Sequence, residues 1–373
     1  MRTRTVLSTD LSGPAVDRSG RGEAKTVPSK MTAAVLYGKE DLKIEEVAVP
    51  QVGPDEVLVR VRAALTCGTD LKVYRQGYHA RMIVPPAIFG HELAGVVEEV
   101  GSEVGNLRKG MRVVAANSAP CGHCRYCQRD RANLCENLLF NNGAYAEYIR
   151  IPGPIVRQNT LEIPDHIPFS DAALVEPLAC VLRGFEETGL RAGDSAAVIG
   201  MGPIGLMFVR LAKLRGAHVV AIGKRGSQLA AARRMGADDV VDASKFDDVA
   251  AEVRRKTPDG AGADVAVEAV GTPATWELAF STLRRGGTVN GFGGCPSGST
   301  VELDTARLHY SEITLKATFH HTPAYIRKAL ETISRGDIRG ADFITGEAPL
   351  THLPELLRHM ANRNGDLKTA IIP

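Results

Sequence analysis

The chain has 373 residues, with 45 Lys and Arg against 43 Asp and Glu, a formal charge of +2. At roughly 150 residues per domain, that length holds two or three domains, each large enough for its own core. A hydrophobic share of 44% with 24% charged residues is globular rather than disordered, and the near-neutral balance gives no electrostatic reason to bind nucleic acid or an anionic membrane.

Residues 1–30 are polar and rich in Ser, Thr, Arg and Gly, without the apolar stretch of a secretory signal. They read as a disordered N-terminal extension, with the folded part opening at Met31. No later apolar run approaches the roughly 18 residues of a membrane span. From Met31 to about Arg150 the pattern is β-rich. Val57–Ala63 alternates with period two, and Gly95–Val100 and Arg112–Ala116 read as further strands. From about Asp171 strands and helices alternate. Strands are expected at Ser195–Ile199, His218–Ile222, Asp239–Val241, Ala263–Val270 and Gly287–Phe292. Helices are expected at Pro203–Arg215, Gln228–Met235, Val249–Lys256 and Ala274–Leu283. That alternation predicts a doubly wound parallel sheet. A helix at Tyr325–Ser334 and a strand at Lys368–Ile372 end the chain, and the strand is placed to return to the first domain.

Gly200-Met-Gly202-Pro203-Ile204-Gly205 lies between the strand ending at Ile199 and the helix from Pro203. Glycines there permit a tight turn and bring a pyrophosphate close to the helix N-terminus, so the motif predicts a dinucleotide site. The next strand would end in a carboxylate if it bound an unmodified adenosine ribose. It ends instead in Gly223-Lys224-Arg225, followed by Ser227. Gly223 leaves room for a 2′-phosphate and the two cations can hold it, which favours NADP(H) over NAD(H). Solvated surface cations beside an NAD site are the alternative.

Seven cysteines, four of them between Cys121 and Cys135, are a poor disulfide framework and suit a reducing cytoplasm. Cys121, Cys124, Cys127 and Cys135 follow C-x2-C-x2-C-x7-C, and four thiolates close a tetrahedral shell, which makes a structural zinc site. An iron–sulfur cluster is the rival; its usual runs have a shorter last gap, often followed by Pro, where this chain has Glu136. A second constellation is dispersed. Cys67-Gly-Thr69-Asp70, Gly90-His91-Glu92 and Glu176-Pro-Leu-Ala-Cys180 together supply one thiolate, one imidazole and one carboxylate. Such a set with an open position suits catalytic zinc.

This combination, in this order over roughly 31–373, resembles the zinc-dependent medium-chain dehydrogenases, with the texture of the sorbitol and threonine dehydrogenase branch. The resemblance implies a GroES-like catalytic domain over 31–178 and 320–373, and a Rossmann NAD(P)-binding domain over 179–319, with the active site between them. It implies that Cys67, His91 and Glu176 bind the catalytic zinc, the four-cysteine loop a second zinc, and Asp70 orients His91. Glu92 or Glu176 would be the resting carboxylate ligand. Thr69 resembles the hydroxyl that takes the substrate proton, while Lys72 stands where the family often has the His that completes the relay. Glu268-Ala-Val270-Gly271 and Gly291-Phe292-Gly293 match segments near the nicotinamide. The implied reaction converts a secondary alcohol (a polyol, sugar or amino alcohol) to its ketone with NADP(H), in a homodimer or homotetramer. An NAD-dependent threonine- or sorbitol-type enzyme, a zinc-independent reductase of the same superfamily and a non-catalytic nucleotide-binding zinc protein are the alternatives.

Cys180 and Cys295 are expected to be packing residues. His320 and His321, adjacent on an extended segment, should point to opposite sides and make poor co-ligands. The cleft walls are expected around Tyr74, Phe140–Asn142 and His320.

Overall fold

The structure is a computed structural model and describes residues 27–79, 82–361 and 367–373. The extension expected over 1–30 lies outside the described residues up to position 26. Its last residue corrects the boundary, because Lys30 already opens the strand Lys30–Gly38 and pairs with Ala48.

The doubly wound sheet has six strands, in the order Asp239–Asp242, His218–Gly223, Ser195–Ile199, Ala263–Glu268, Leu283–Gly291 and Thr314–Ala317, every pair parallel. The chain starts in the middle and winds outward both ways, so a crevice opens where Ser195–Ile199 meets Ala263–Glu268. Ser195–Ile199 is buried along its whole length, as a central strand covered on both faces must be. The edge strand Thr314–Ala317 escapes the sequence pattern, since its four residues are mostly exposed and lack a clear period. Ala263–Glu268 stops short of its expected end at Val270. The Glu268 carboxylate turns back to accept the N–H groups of Val270 (2.7 Å) and Gly271 (2.8 Å), which takes those donors off the ladder.

The β-rich part is built on a seven-stranded sheet in which Val57–Leu65 is the hub, pairing antiparallel with Leu93–Val100, Tyr148–Ile151 and Lys368–Ile372. Ala370 and Ile371 lie opposite Leu65 and Ala64, so the last strand enters beside the turn that carries Cys67. No described helix is long and apolar enough to cross a membrane.

A helix from Val175 to Thr188 joins the two parts, and the boundary expected at 178/179 falls inside it. Its Pro177 stands in the first turn. Proline is tolerated there because the first turn has no intrahelical partner for that N–H. Eleven of its fourteen residues are buried. One continuous apolar core runs from Leu65, Ala94 and Val114, through Leu174, Leu178 and Leu182, to Val198, Met207 and Val265. The two parts are thus welded along this helix.

Pro203–Leu214 follows the glycine-rich turn with Gly202 as its N-cap and Pro203 in its first turn. A Cβ at Gly205 would sit 1.8 Å from the Gly200 carbonyl oxygen, whereas one at Gly202 would meet nothing within 4 Å. The first glycine is needed for packing and the second leaves room for a ligand. Gly205→Ala is therefore expected to lower unfolding stability by about 1–3 kcal/mol, measured by urea denaturation, and Gly202→Ala to leave the urea midpoint in place.

Candidate active site and metal centres

Val57–Leu65 delivers the chain to Cys67, which caps the helix Gly68–Gln76: its Sγ accepts the Thr69 N–H at 3.4 Å. The cap fixes the direction in which the Cys67 side chain leaves the turn. Asp70 completes the cap. Its Oδ2 accepts the Cys67 N–H at 3.0 Å and lies 2.6 Å from the Tyr145 hydroxyl. Its other oxygen, Oδ1, is 3.0 Å from His91 Nδ1. With Nδ1 committed, His91 has Nε2 left for a ligand, the second-sphere arrangement that fixes ring and tautomer in a metal site. Burial alone would lower the His91 pKa, but the Asp70 carboxylate raises it well above the usual value. Gly90 lets the chain approach this assembly: its φ is +94°, and a Cβ there would lie 2.6 Å from the Tyr145 ring.

Glu92 is fully buried, and both its oxygens lie on Lys368 Nζ, at 2.7 and 2.6 Å. Lys368 also donates to the Thr66 carbonyl at 3.0 Å. Burial pushes the Glu92 carboxyl up, against the pull of Lys368; for Lys368, burial lowers and Glu92 more than restores the ammonium. The sequence reading missed Lys368. A lone lysine opening an apolar terminal strand has no local motif, and only its burial marks it.

Ligand atoms of Cys67, His91 and Glu92 lie within 4.8 Å of one another. Glu176, in the first turn of Val175–Thr188, forms a second such trio with His320 and His321. Its Oε1 is 3.8 Å from His321 Nε2 and 4.0 Å from Cys180 Sγ, and burial raises its carboxyl to about 7. Cys67 and His91 of the first trio and Glu176 and His320 of the second line one cleft of about 440 Å³, together with Thr69 and Cys180, while Glu92 and His321 lie behind it. Cys180 therefore faces the cleft rather than merely packing.

The two histidines do not diverge as expected. His320 has φ +65°, which breaks the extended alternation, and the two rings are 4.0 Å apart with a 34° tilt. Burial holds His320 down at about 4 and His321 well below the ordinary value. Of the expected walls, Phe140 and His320 line the cleft, but Tyr74 is buried in the β-rich core. Lys72 is exposed and reaches across the rim, its Nζ 3.4 Å from the Gly294 carbonyl.

In the four-cysteine loop all four sulfurs lie within 4.8 Å of one another, with Cys124 to Cys127 at 3.6 Å and Cys124 to Cys135 at 3.9 Å. A tetrahedral zinc with Zn–S of about 2.3 Å has sulfur–sulfur edges of about 3.8 Å, so the loop fits that ion. Backbone N–H groups point at the sulfurs, from Cys121 to Cys135 (3.2 Å) and from Cys124 to Cys121 (3.4 Å). The backbone of Cys127 lowers the Cys124 thiol to about 6, while burial pushes Cys127 up to about 12.

The glycine-rich turn adjoins the cleft, since its Ile204 lines it; Phe292, also on the cleft, packs edge-on against Phe208 with centroids 5.1 Å apart. Val270 lies over the turn: a Cβ on Gly200 would be 2.5 Å from its Cγ2. Gly223 ends its strand, Lys224 is exposed, and Arg225 caps the helix Gly226–Arg234. Neither cation has a protein partner among the described residues.

Lys368→Met strands Glu92 as a buried, unpaired charge and is expected to cost about 3–5 kcal/mol. Adding Glu92→Gln should recover most of that loss. Chemical denaturation of the two single variants and the double variant checks this; equal losses in Lys368→Met and the double variant would show that the pair is not what holds this region.

The profile of the alcohol dehydrogenase GroES-like domain matches residues 53–165, and that of the zinc-binding dehydrogenase domain matches residues 203–335. Sorbitol dehydrogenase of Bacillus subtilis (strain 168) is 33% identical over 356 residues, covering 93% of this chain and 99% of that protein. L-threonine 3-dehydrogenase of Chelativorans sp. is 34% identical, covering 78% of this chain and 84% of its own. Alcohol dehydrogenase TADH from Thermus sp. ATN1 superposes with TM-score 0.83 at 31% identity, covering 92% of this chain and 99% of its own. A Sinorhizobium meliloti 1021 chain described as a candidate zinc-binding dehydrogenase, bound to NADP, gives TM-score 0.83 at 32% identity over 93% of this chain and all of its own. The chain belongs to the zinc-dependent medium-chain dehydrogenases, enzymes that oxidise CH–OH groups with a nicotinamide cofactor.

Proposed function

We propose that the enzyme interconverts a secondary alcohol of polyol, sugar or amino-alcohol type and its ketone, with NADP(H) as the preferred cofactor. The observation that carries this reading is the single cleft in which Cys67, Thr69, His91 and Glu176 face Ile204 and Phe292 beside the glycine-rich turn. Sorbitol, L-threonine and D-arabinitol appear in the names of similar dehydrogenases, all hydroxylated molecules.

In this reading Cys67, His91 and Glu176 hold the catalytic ion and the four cysteines hold a second zinc. Glu92 is drawn back by its two bonds to Lys368, which leaves Glu176 as the carboxylate free to approach. Bound zinc supplies a Lewis acid toward the substrate oxygen, and the nicotinamide supplies the hydride acceptor. Asp70, gripped by Tyr145 and the Cys67 N–H, keeps His91 aimed at the cleft. The Thr69 hydroxyl, two residues after Cys67, takes the substrate proton. Lys72 is turned to Gly294 at the rim, so it tethers the nucleotide-side loop rather than accepting the proton from Thr69. A dimer or tetramer in a reducing cytoplasm suits the exposed sheet edge at Thr314–Ala317 and the seven unpaired thiols.

Cofactor choice turns on the end of the strand His218–Gly223. Arg225 and Lys224 favour the 2′-phosphate. One observation favours NAD(H): Asp242 pairs beside Gly223 and brings a carboxylate to the same sheet end, where Ser244 holds it. Steady-state kinetics with both cofactors over a panel of polyols and secondary alcohols separates the two. In the Lys224→Ala/Arg225→Ala double variant, kcat/KM for NADP+ is expected to fall about 10–100-fold relative to NAD+, the size of charge-assisted bonds. An unchanged ratio would make NAD+ the cofactor. Zinc analysis is expected to give two ions per chain, falling by one in Cys124→Ser; a single ion in the unaltered protein would overturn the two-site reading.

A further inference from the structure

The cleft has one wall that the zinc, proton and cofactor roles leave unused. It is the segment Phe319–His321, and His320 sits on it in a left-handed conformation, φ +65°. A bulky non-glycine residue pays for that conformation, and such residues concentrate where a side chain must be aimed. Here the surroundings hold it firmly. Asn133, in the 3-10 turn Ala132–Leu134 between Cys127 and Cys135, donates Nδ2 to the Phe319 carbonyl at 3.1 Å. Arg183, on the helix that joins the two parts, donates to the same carbonyl at 3.0 Å and to the His320 carbonyl at 3.4 Å. The ring is fixed in turn. Its Nε2 is 2.6 Å from Ser118 Oγ, and it stacks on Phe319 and tilts against Phe140, with centroids 5.4 and 5.5 Å away. Ser118 and Asn133 are themselves buried. Nδ1 has no partner among the described residues, and the side chain lines the cleft.

A neutral imidazole whose Nε2 is engaged offers at Nδ1 either an N–H or a lone pair, according to which way the Ser118 hydroxyl points. A hydroxyl matches both cases because it donates and accepts. A carboxylate or an ammonium matches only one. We propose that His320 is a specificity-determining residue that hydrogen-bonds a substrate hydroxyl other than the one oxidised, and that Asn133 of the four-cysteine loop is its positioning residue. The inference rests on the dehydrogenase reading above and sharpens it: the preferred substrate carries a second hydroxyl near the reacting carbinol. It also gives the four-cysteine loop a part in substrate choice, through the link from Asn133 to Phe319.

The test compares 2,3-butanediol with 2-butanol, which differ by that one hydroxyl, as ratios of kcat/KM and of calorimetric affinity for the zinc-loaded, cofactor-bound enzyme. The native protein should favour the diol. His320→Leu should cut the diol-to-monoalcohol ratio about tenfold, one lost hydrogen bond. His320→Gln, which keeps a donor and an acceptor, should retain most of the preference. Asn133→Leu should raise KM for the diol more than it lowers kcat, with zinc content unchanged. A ratio in both His320 variants equal to that of the native protein overturns the proposal. If the native enzyme turns over neither alcohol, the substrate class proposed above fails, and the calorimetric ratio still decides the role of His320.

Discussion

Glu92 and Lys368 form an ion pair with almost no access to water, 276 residues apart in the chain. Neither charge could be buried alone, since moving an isolated ion into the interior costs several kcal/mol. The pair therefore constrains everything near it. It draws the last strand in beside Val57–Leu65, places that strand's first residue under the turn at Thr66, and commits Glu92 to a cation supplied by the protein. The cleft side chains around it are then placed by geometry: Cys67 by a helix cap, His91 by Asp70, and Glu176 by the first turn of another helix.

That other helix carries the second constraint. Val175–Thr188 shares one apolar core with both parts of the chain while placing Glu176 and Cys180 on the cleft, one helical turn apart. Arg183, a turn further on, grips the segment bearing His320. One element thus sets the distance between Glu176 and the wall that bears His320, and the crevice of the parallel sheet opens at the adjacent switch point.

Features confined to a few consecutive residues were legible in the sequence. The glycine-rich turn, the four-cysteine loop and five of the six strands of the nucleotide-binding sheet each carry their signal in their own spacing. What escaped depends on partners far along the chain. Lys368 looks like any lysine until Glu92 is seen against it. The helix Val175–Thr188 carries no start motif of its own, since no side chain caps it and a proline stands in its first turn. The early stop of Ala263–Glu268 depends on a side chain turning back on its own backbone. The adjacent histidines were misjudged by assuming an extended backbone, and a single positive φ at His320 undid that geometry.

The same distinction explains why the two cysteine-bearing sites differ in kind. Four thiols on one short loop satisfy a metal with local chain alone, so that loop can be complete wherever it is attached. The mixed donors of the cleft come from segments that only the folded core brings together, and a site so assembled can keep a coordination position open because no single loop closes around it. The link from Asn133 to Phe319 ties the four-cysteine loop to the wall of the cleft. The left-handed backbone at His320 is held from two sides, by Asn133 of that loop and by Arg183.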